Sequence, residues 1–332
     1  MIGAMVKHGV PDEPGRESRP VHLPVLPTEV LAGVIGQDPN TLEGWVVDGT
    51  LGMGGHASLI LEACPGLRLL GIDQDEQALA LASERLAPFG DRVRLRKGHL
   101  SGLARTIRKE RIGRPVAALF DLGVSSMQID KPERGFSFID DGPLDMRMDL
   151  SRERTAAEII NYWDEGDLAD LFYYEGDETR SRKVARAICE ARRRVPFLRT
   201  AALAQLIAST LGEGGRIHPA TKCFQALRRA VNEEGEELLR GLDAAEHWLA
   251  DGGRLAVISF HSGEDREVKR FFKDGVRAER WDVLTKKPIS AGSDERRRNR
   301  RSRSARLRIA VRKRPALDVV LSGSSRGKRG KR

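Results

Sequence analysis

The chain has 332 residues, 40% hydrophobic and 5% aromatic, with 57 Lys and Arg against 48 Asp and Glu and a formal net charge of +9. That length suits one large domain or two moderate ones with ample core. Cys64, Cys189 and Cys223 lie far apart with neither CxxC spacing nor a histidine cluster, and no run of about 18 apolar residues occurs, which excludes a disulfide scaffold, a structural zinc site and a membrane span and predicts a reducing, cytoplasmic setting.

Residues 1–21 mix proline, glycine and charge without an apolar leader and are read as a disordered extension. Short apolar runs bounded by turn residues follow: 44–48, 67–73, 93–96 and 116–121, three of them ending in aspartate. Between them the apolar spacing is helical, as in 57–63 and in Ala78, Leu79, Leu81, Ala82 and Leu86. Strand and helix alternating at this pitch predict an α/β fold, a parallel sheet with right-handed crossovers. From Ala156 to Leu211 only helical periods occur, as in Val184, Ile188 and Ala191. An amphipathic helix carrying Leu238, Leu242, Ala245 and Leu249 then leads into a strand at 253–260, with two more at 281–285 and 305–311. The predicted organisation is a discontinuous α/β domain at 22–128 and 217–314, an inserted helical domain at 129–216 and a disordered basic tail at 315–332.

The first strand runs into DGTLGMGGH at 48–56, where Gly52, Gly54 and Gly55 let the backbone approach a ligand and a helix N-terminus follows. Nineteen residues beyond Gly54, Asp73 closes the second strand, where a carboxylate can accept both hydroxyls of a ribose. A nucleoside cofactor is indicated; glycines spaced G-x-G-G leave both NAD and S-adenosylmethionine open. The fourth strand delivers Asp121 and then Gln128, a side chain able to read a base edge, to the carboxyl edge of the sheet. Turn-rich loops at 131–138 and 141–149 follow, and His261 closes the fifth strand, either as an acid/base or as a helix cap.

Charge is unevenly placed. Residues 286–332 hold 18 Lys and Arg and 3 Asp and Glu, leaving 39 against 45 in the rest of the chain. Six arginines in the eight residues 296–303, including Arg296, Arg297 and Arg298, point to phosphate contacts, as do Arg192, Arg193 and Arg194 on the insertion.

The motifs DGTLGMGGH (48–56), GIDQD (71–75), DLGVSSMQID (121–130), ERGFSF (133–138), DGPLDMRMD (141–149), HPAT (218–221), GGRLAVISFHS (252–262) and RSARLRIA (303–310) resemble, in order, those of the bacterial 16S rRNA cytosine-N4 methyltransferases. The resemblance runs from His22 to Arg312. It implies a Rossmann-like class I methyltransferase sheet with an inserted all-helical domain. The implied donor is S-adenosylmethionine, and the acceptor is N4 of cytidine 1402 in 16S rRNA of the small ribosomal subunit. Carried over by motif, cofactor contacts fall on Gly54, Gly55, His56, Asp73, Leu100, Asp121 and Gln128. Leu100 stands where the family often has phenylalanine, and Gly263 where it commonly has leucine.

Cytosine N4 is a weak nucleophile because its lone pair is delocalised into the ring, so an acceptor for its N–H protons is needed as the new bond forms. Asp121 or a nearby backbone carbonyl is the expected acceptor, with Asp145, Asp149 and His261 in reserve and no metal called for. The base must be unstacked or single-stranded to be reached, and the insertion with Arg192–Arg194 is the expected wall that holds it. Alternatives are transfer to another RNA or DNA base, or an RNA-binding Rossmann protein without catalysis.

Overall fold

The computed structural model describes residues 23–36, 41–212 and 217–313; the expected terminal extension and tail lie outside these. Helix α1 (Pro27–Ile35) precedes β1 (Gly44–Asp48), followed by α2 (Gly55–Ala63), β2 (Leu67–Asp73), α3 (Glu76–Leu86), β3 (Val93–Lys97), α4 (Leu103–Glu110) and β4 (Ala117–Asp121). The excursion after β4 contains α5 (Ser126–Asp130), α6 (Ala156–Tyr162), α7 (Glu165–Tyr174), α8 (Ser181–Arg192), α9 (Thr200–Leu211), α10 (Thr221–Asn232) and α11 (Glu234–Trp248). The sheet resumes with β5 (Arg254–Ser259), then α12 (Ser262–Arg277), β6 (Trp281–Val283), α13 (Ser293–Arg298) and β7 (Arg306–Arg312).

The seven strands are ordered β3-β2-β1-β4-β5-β7-β6. Strands β1 to β5 run parallel, whereas β7 is antiparallel to both β5 and β6. The central strands β4 and β5 read as continuous apolar runs because both faces are covered, whereas the edge strand β3 alternates Val93 and Leu95 with Arg94 and Arg96 and is only partly buried. Successive residues go to opposite sides: Val46 joins the core under α1 and Val47 the one under α4 and α11, and Leu69 and Leu70 divide in the same way. The order reverses between β1 and β4, which opens a crevice at their carboxyl ends.

Helices α6 to α10 bury a second apolar core of their own, including Ile159, Phe172, Ile188 and Ile207. Helix α10, beyond residue 216, also contributes Cys223, Phe224, Leu227 and Val231 to it. At Glu233 the chain turns through a left-handed conformation, φ 53°, and α11 leaves that core to pack on the sheet through Leu238, Leu242 and Ala245. The bend brings the end of α10 over the crevice. All three cysteines are buried and free.

Candidate active site

A cavity of about 300 Å³ occupies the crevice, with Asp48, Asp73 and Asp121 entering it from the ends of β1, β2 and β4. Its floor depends on a close approach: a Cβ at Gly49 would stand 2.6 Å from Leu100 Cδ2 and 2.8 Å from the Phe120 ring. The Asp73 carboxylate is held by the glycine loop itself, accepting from the Gly52 N–H at 2.7 Å and the Asp75 N–H at 2.8 Å. Each oxygen keeps acceptor capacity for a ribose hydroxyl.

Three carboxylates in one poorly solvated crevice resist ionisation. Burial pushes Asp48 up to about 8, against the hydrogen bond from the Thr50 N–H, with the charges of Asp121 and Asp73 adding to the rise. Burial likewise raises Asp73 to about 6 while its backbone N–H bonds oppose the shift. Asp121 is raised to about 7 by burial and then by the Glu264 charge, and Arg301 opposes both. The Asp121 Oδ2 lies 3.7 Å from His56 Nε2, and its Oδ1 has no hydrogen-bond partner among the described residues.

Of the cofactor contacts predicted from sequence, Gly55, His56, Asp73, Leu100, Asp121 and Gln128 line this cavity. Gly54 does not. It adopts φ 74° at the start of α2, its N–H donates to Leu51 O at 2.9 Å, and a Cβ there would press on Leu86 of α3 at 3.1 Å. The missing side chain lets the start of α2 approach α3 closely. Leu100 is 8% exposed and wedged between Gly49 and Gly241, so it offers an apolar floor in place of an aromatic one. Gln128 has both ends of its amide engaged: Oε1 accepts from the Ser125 N–H in a capping box, and Nε2 donates to Asp75 Oδ2 at 2.9 Å. Those two bonds fix the orientation of its amide at the cavity wall.

The reserve acids lie elsewhere. Asp145 is forked by Arg147 at 2.8 Å through both Nε and Nη2. Asp149 accepts from Ser151 and sits 3.0 Å from Lys97 Nζ and 3.2 Å from His99 Nε2. Burial opposes its ionisation, but hydrogen bonds from Ser151 and Lys97 outweigh it and hold the group down at about 2, which makes it a poor proton acceptor. Neither residue lines the cavity, nor does His261, which caps α12 through Nδ1 and pairs with Glu264 at 2.8 Å. Gly263 leaves room for that ring, since a Cβ there would meet His261 Nδ1 at 3.1 Å. Among the predicted RNA contacts, Arg192 is partly buried and donates to Ile160 O at 2.6 Å. Arg193, Arg194, Arg296, Arg297 and Arg298 are exposed.

The wall also includes residues absent from the sequence-based site, among them Arg228 and Asn232 from α10, Glu234 and Glu237 from α11, Glu264 from α12, and Arg301. Asn232 gives the 141–149 loop a structural anchor. Its amide accepts from the Met148 N–H and donates to Met146 O, both at 2.8 Å, tying that loop to α10. Arg228 forks Glu234 at 2.7 Å with both nitrogens. Ligand atoms of Glu234, His261 and Glu264 lie within 4.8 Å of one another, but the Arg228 guanidinium already supplies positive charge there.

The sheet order, the glycine loop and the acids closing β1, β2 and β4 define a class I methyltransferase. More particularly, residues 19–313 match the MraW methylase family, and the chain belongs to it. Its relatives include proteins named ribosomal RNA small subunit methyltransferase H from Crocosphaera subtropica, 48% identical over 91% of this chain and 93% of the relative, and from Sorangium cellulosum, 48% identical over 91% and 94%. A third, from a Methylobacterium species, is 46% identical over 88% and 90%. Among solved structures, an rRNA methylase from Streptococcus thermophilus aligns with 90% of this chain and all of its own at 15% identity and a TM-score of 0.40; the fold assignment rests on the strand order itself.

Proposed function

We propose that the protein transfers a methyl group from S-adenosylmethionine to N4 of cytidine 1402 in 16S rRNA of the small ribosomal subunit, acting in the cytoplasm. The observation that carries the choice of donor is electrostatic. Asp48, Asp73 and Asp121 converge on one cavity and all three are pushed above the usual carboxylate range. Such a site favours a nucleoside bearing positive charge and disfavours the two phosphates of a dinucleotide. When bound, S-adenosylmethionine supplies a methyl group activated on a positively charged sulfur. The residue set fits it: Asp73 for the ribose, the loop at Gly52 and Gly55 for the amino-acid end, Leu100 as an apolar floor.

The choice of acceptor is supported by the relatives' names and by the family resemblance. Because the sulfur leaves as a neutral thioether, the chain's main task is alignment, for which favourable systems yield about 7–11 kcal/mol. In this reading the Asp121 carboxylate accepts an N4 proton as the nitrogen lone pair leaves conjugation. The helical insertion, 129–216, walls the RNA side, and Arg193, Arg194 and Arg296–Arg298 meet phosphates. The test is to incubate the purified protein and S-adenosylmethionine with small subunits from a strain lacking the modification, then map mass in the rRNA. One added methyl at cytidine 1402 is expected. Methylation elsewhere sinks the acceptor assignment, and absence of S-adenosylmethionine binding by calorimetry sinks the donor.

A further inference from the structure

We propose that Arg301 is a positioning residue for methyl transfer, its guanidinium holding the Asp121 carboxylate ionised at the cavity wall; this rests on Asp121 being the N4 proton acceptor. The arginine-rich segment is not uniform. Arg296, Arg297, Arg298, Arg300 and Arg303 are exposed, whereas Arg301 is half-buried and lines the same cavity as Asp121. The backbone dictates this division. After α13, residues 300–303 form a tight turn in which Asn299 Oδ1 accepts from the Arg301 N–H at 3.2 Å and the Ser302 hydroxyl donates to Asn299 O at 2.8 Å. Ser302 is 1% exposed. The segment is also pinned to the residues before α1, since Asn299 Nδ2 donates to Leu23 O at 3.1 Å and Glu295 Oε1 accepts from the Leu26 N–H at 2.7 Å. Arg301 therefore projects from a fixed turn.

The ionisable groups around Asp121 come from several elements: His56 of α2 at 3.7 Å, Asp48 at the end of β1, Glu264 of α12, and Arg301. Burial pulls the Arg301 guanidinium below its ordinary value, and the charges of Asp130 of α5 and of Asp121 oppose that shift. Arg228 of α10 shares the cavity but is committed to Glu234. Burial and Glu264 both drive Asp121 toward its protonated form, in which it cannot accept a proton, and the Arg301 charge opposes them. A guanidinium suits the task because it stays charged despite burial.

The test follows Asp121 itself and the rate it serves. Full-length wild type, R301Q and R301K are labelled with carbon-13 at the aspartate carboxyls, the Asp121 signal being assigned by its loss in D121N. The same proteins are assayed for the pH dependence of kcat on small subunits lacking the modification. We expect R301Q to raise the Asp121 midpoint by about one pH unit, to move the acid limb of kcat equally, and to slow turnover about tenfold below the midpoint. R301K, which keeps the charge, stays near wild type in both. An unmoved midpoint in R301Q overturns the proposal, as does an equal shift in R301K. R301M gives a second charge-free variant should R301Q fail to fold. If the midpoint shifts and the acid limb does not follow, Arg301 still controls the carboxylate and it is the acceptor role of Asp121 that fails.

Discussion

Asp48 shows what a strand-end acid does that its letter in the sequence does not reveal. The sequence displays three apolar runs closed by aspartate, and all three reach the same cavity. What it cannot display is their desolvation and the repulsion that Asp48 meets from Asp121 and Asp73, which depend on β1, β2 and β4 lying side by side. In the unfolded chain Asp48 ionises near 3.8, and in the folded protein near 8, so the native state binds the proton more tightly. Stability from this group is therefore present at low pH and is lost as pH rises from about 4 to about 8. Asp48→Asn removes the penalty. Its melting temperature without cofactor should exceed that of wild type by a margin that grows from pH 5 to pH 8, corresponding to at most about 1.4 kcal/mol per pH unit. Parallel melting curves across that range would count against the burial of an ionisable Asp48.

Between residue and fold stands the network that locks the loops around the cavity. Arg134 is 4% exposed, donates to Asp75 Oδ2 at 2.9 Å and reaches the carbonyls of Arg147 and Met148. Asp75 in turn caps α3 through the Gln77 N–H and accepts from Gln128. Arg134→Ala leaves a buried carboxylate without its partner and should lower unfolding free energy by about 3–5 kcal/mol in urea titrations; a loss under 1 kcal/mol would mean that Asp75 has found another partner. The central strands were legible almost to the residue because a run buried on both faces needs only apolar letters between turn residues. The loops at 133–149 were not. Asp145 and Asp149 look like catalytic acids in one dimension, but local arginine and serine partners consume them. Gln128 and Arg134 are committed to Asp75, more than 50 residues away in the chain, a pairing that no local pattern announces. The cation that reaches Asp121 sits in a run of arginines, five of them exposed, and only the tight turn at 300–303 distinguishes Arg301 from its neighbours.

For the molecule as a whole, charge and chemistry occupy different places. The body through residue 285 carries 39 basic against 45 acidic residues and supplies all but one of the cavity's ionisable groups, while the cationic segment supplies Arg301 and an exposed arginine face. Exposed arginines that meet phosphate release counterions on binding. Replacing Arg296, Arg297 and Arg298 together by glutamine should flatten the slope of log affinity against log salt for small-subunit RNA by about 2, given roughly 0.7 per single-strand phosphate contact, with S-adenosylmethionine affinity unchanged by calorimetry. An unchanged slope would remove those arginines from the RNA face. Methyl transfer in this protein turns on Asp121 as the group that takes the N4 proton, and the decisive measurement is single-turnover methylation of small subunits lacking the modification, with saturating S-adenosylmethionine and Asp121→Asn set against wild type. With S-adenosylmethionine saturating for each enzyme, the Asp121→Asn rate should be at least about 100-fold lower; an Asp121→Asn enzyme that methylates at the wild-type rate would remove Asp121 from the chemistry.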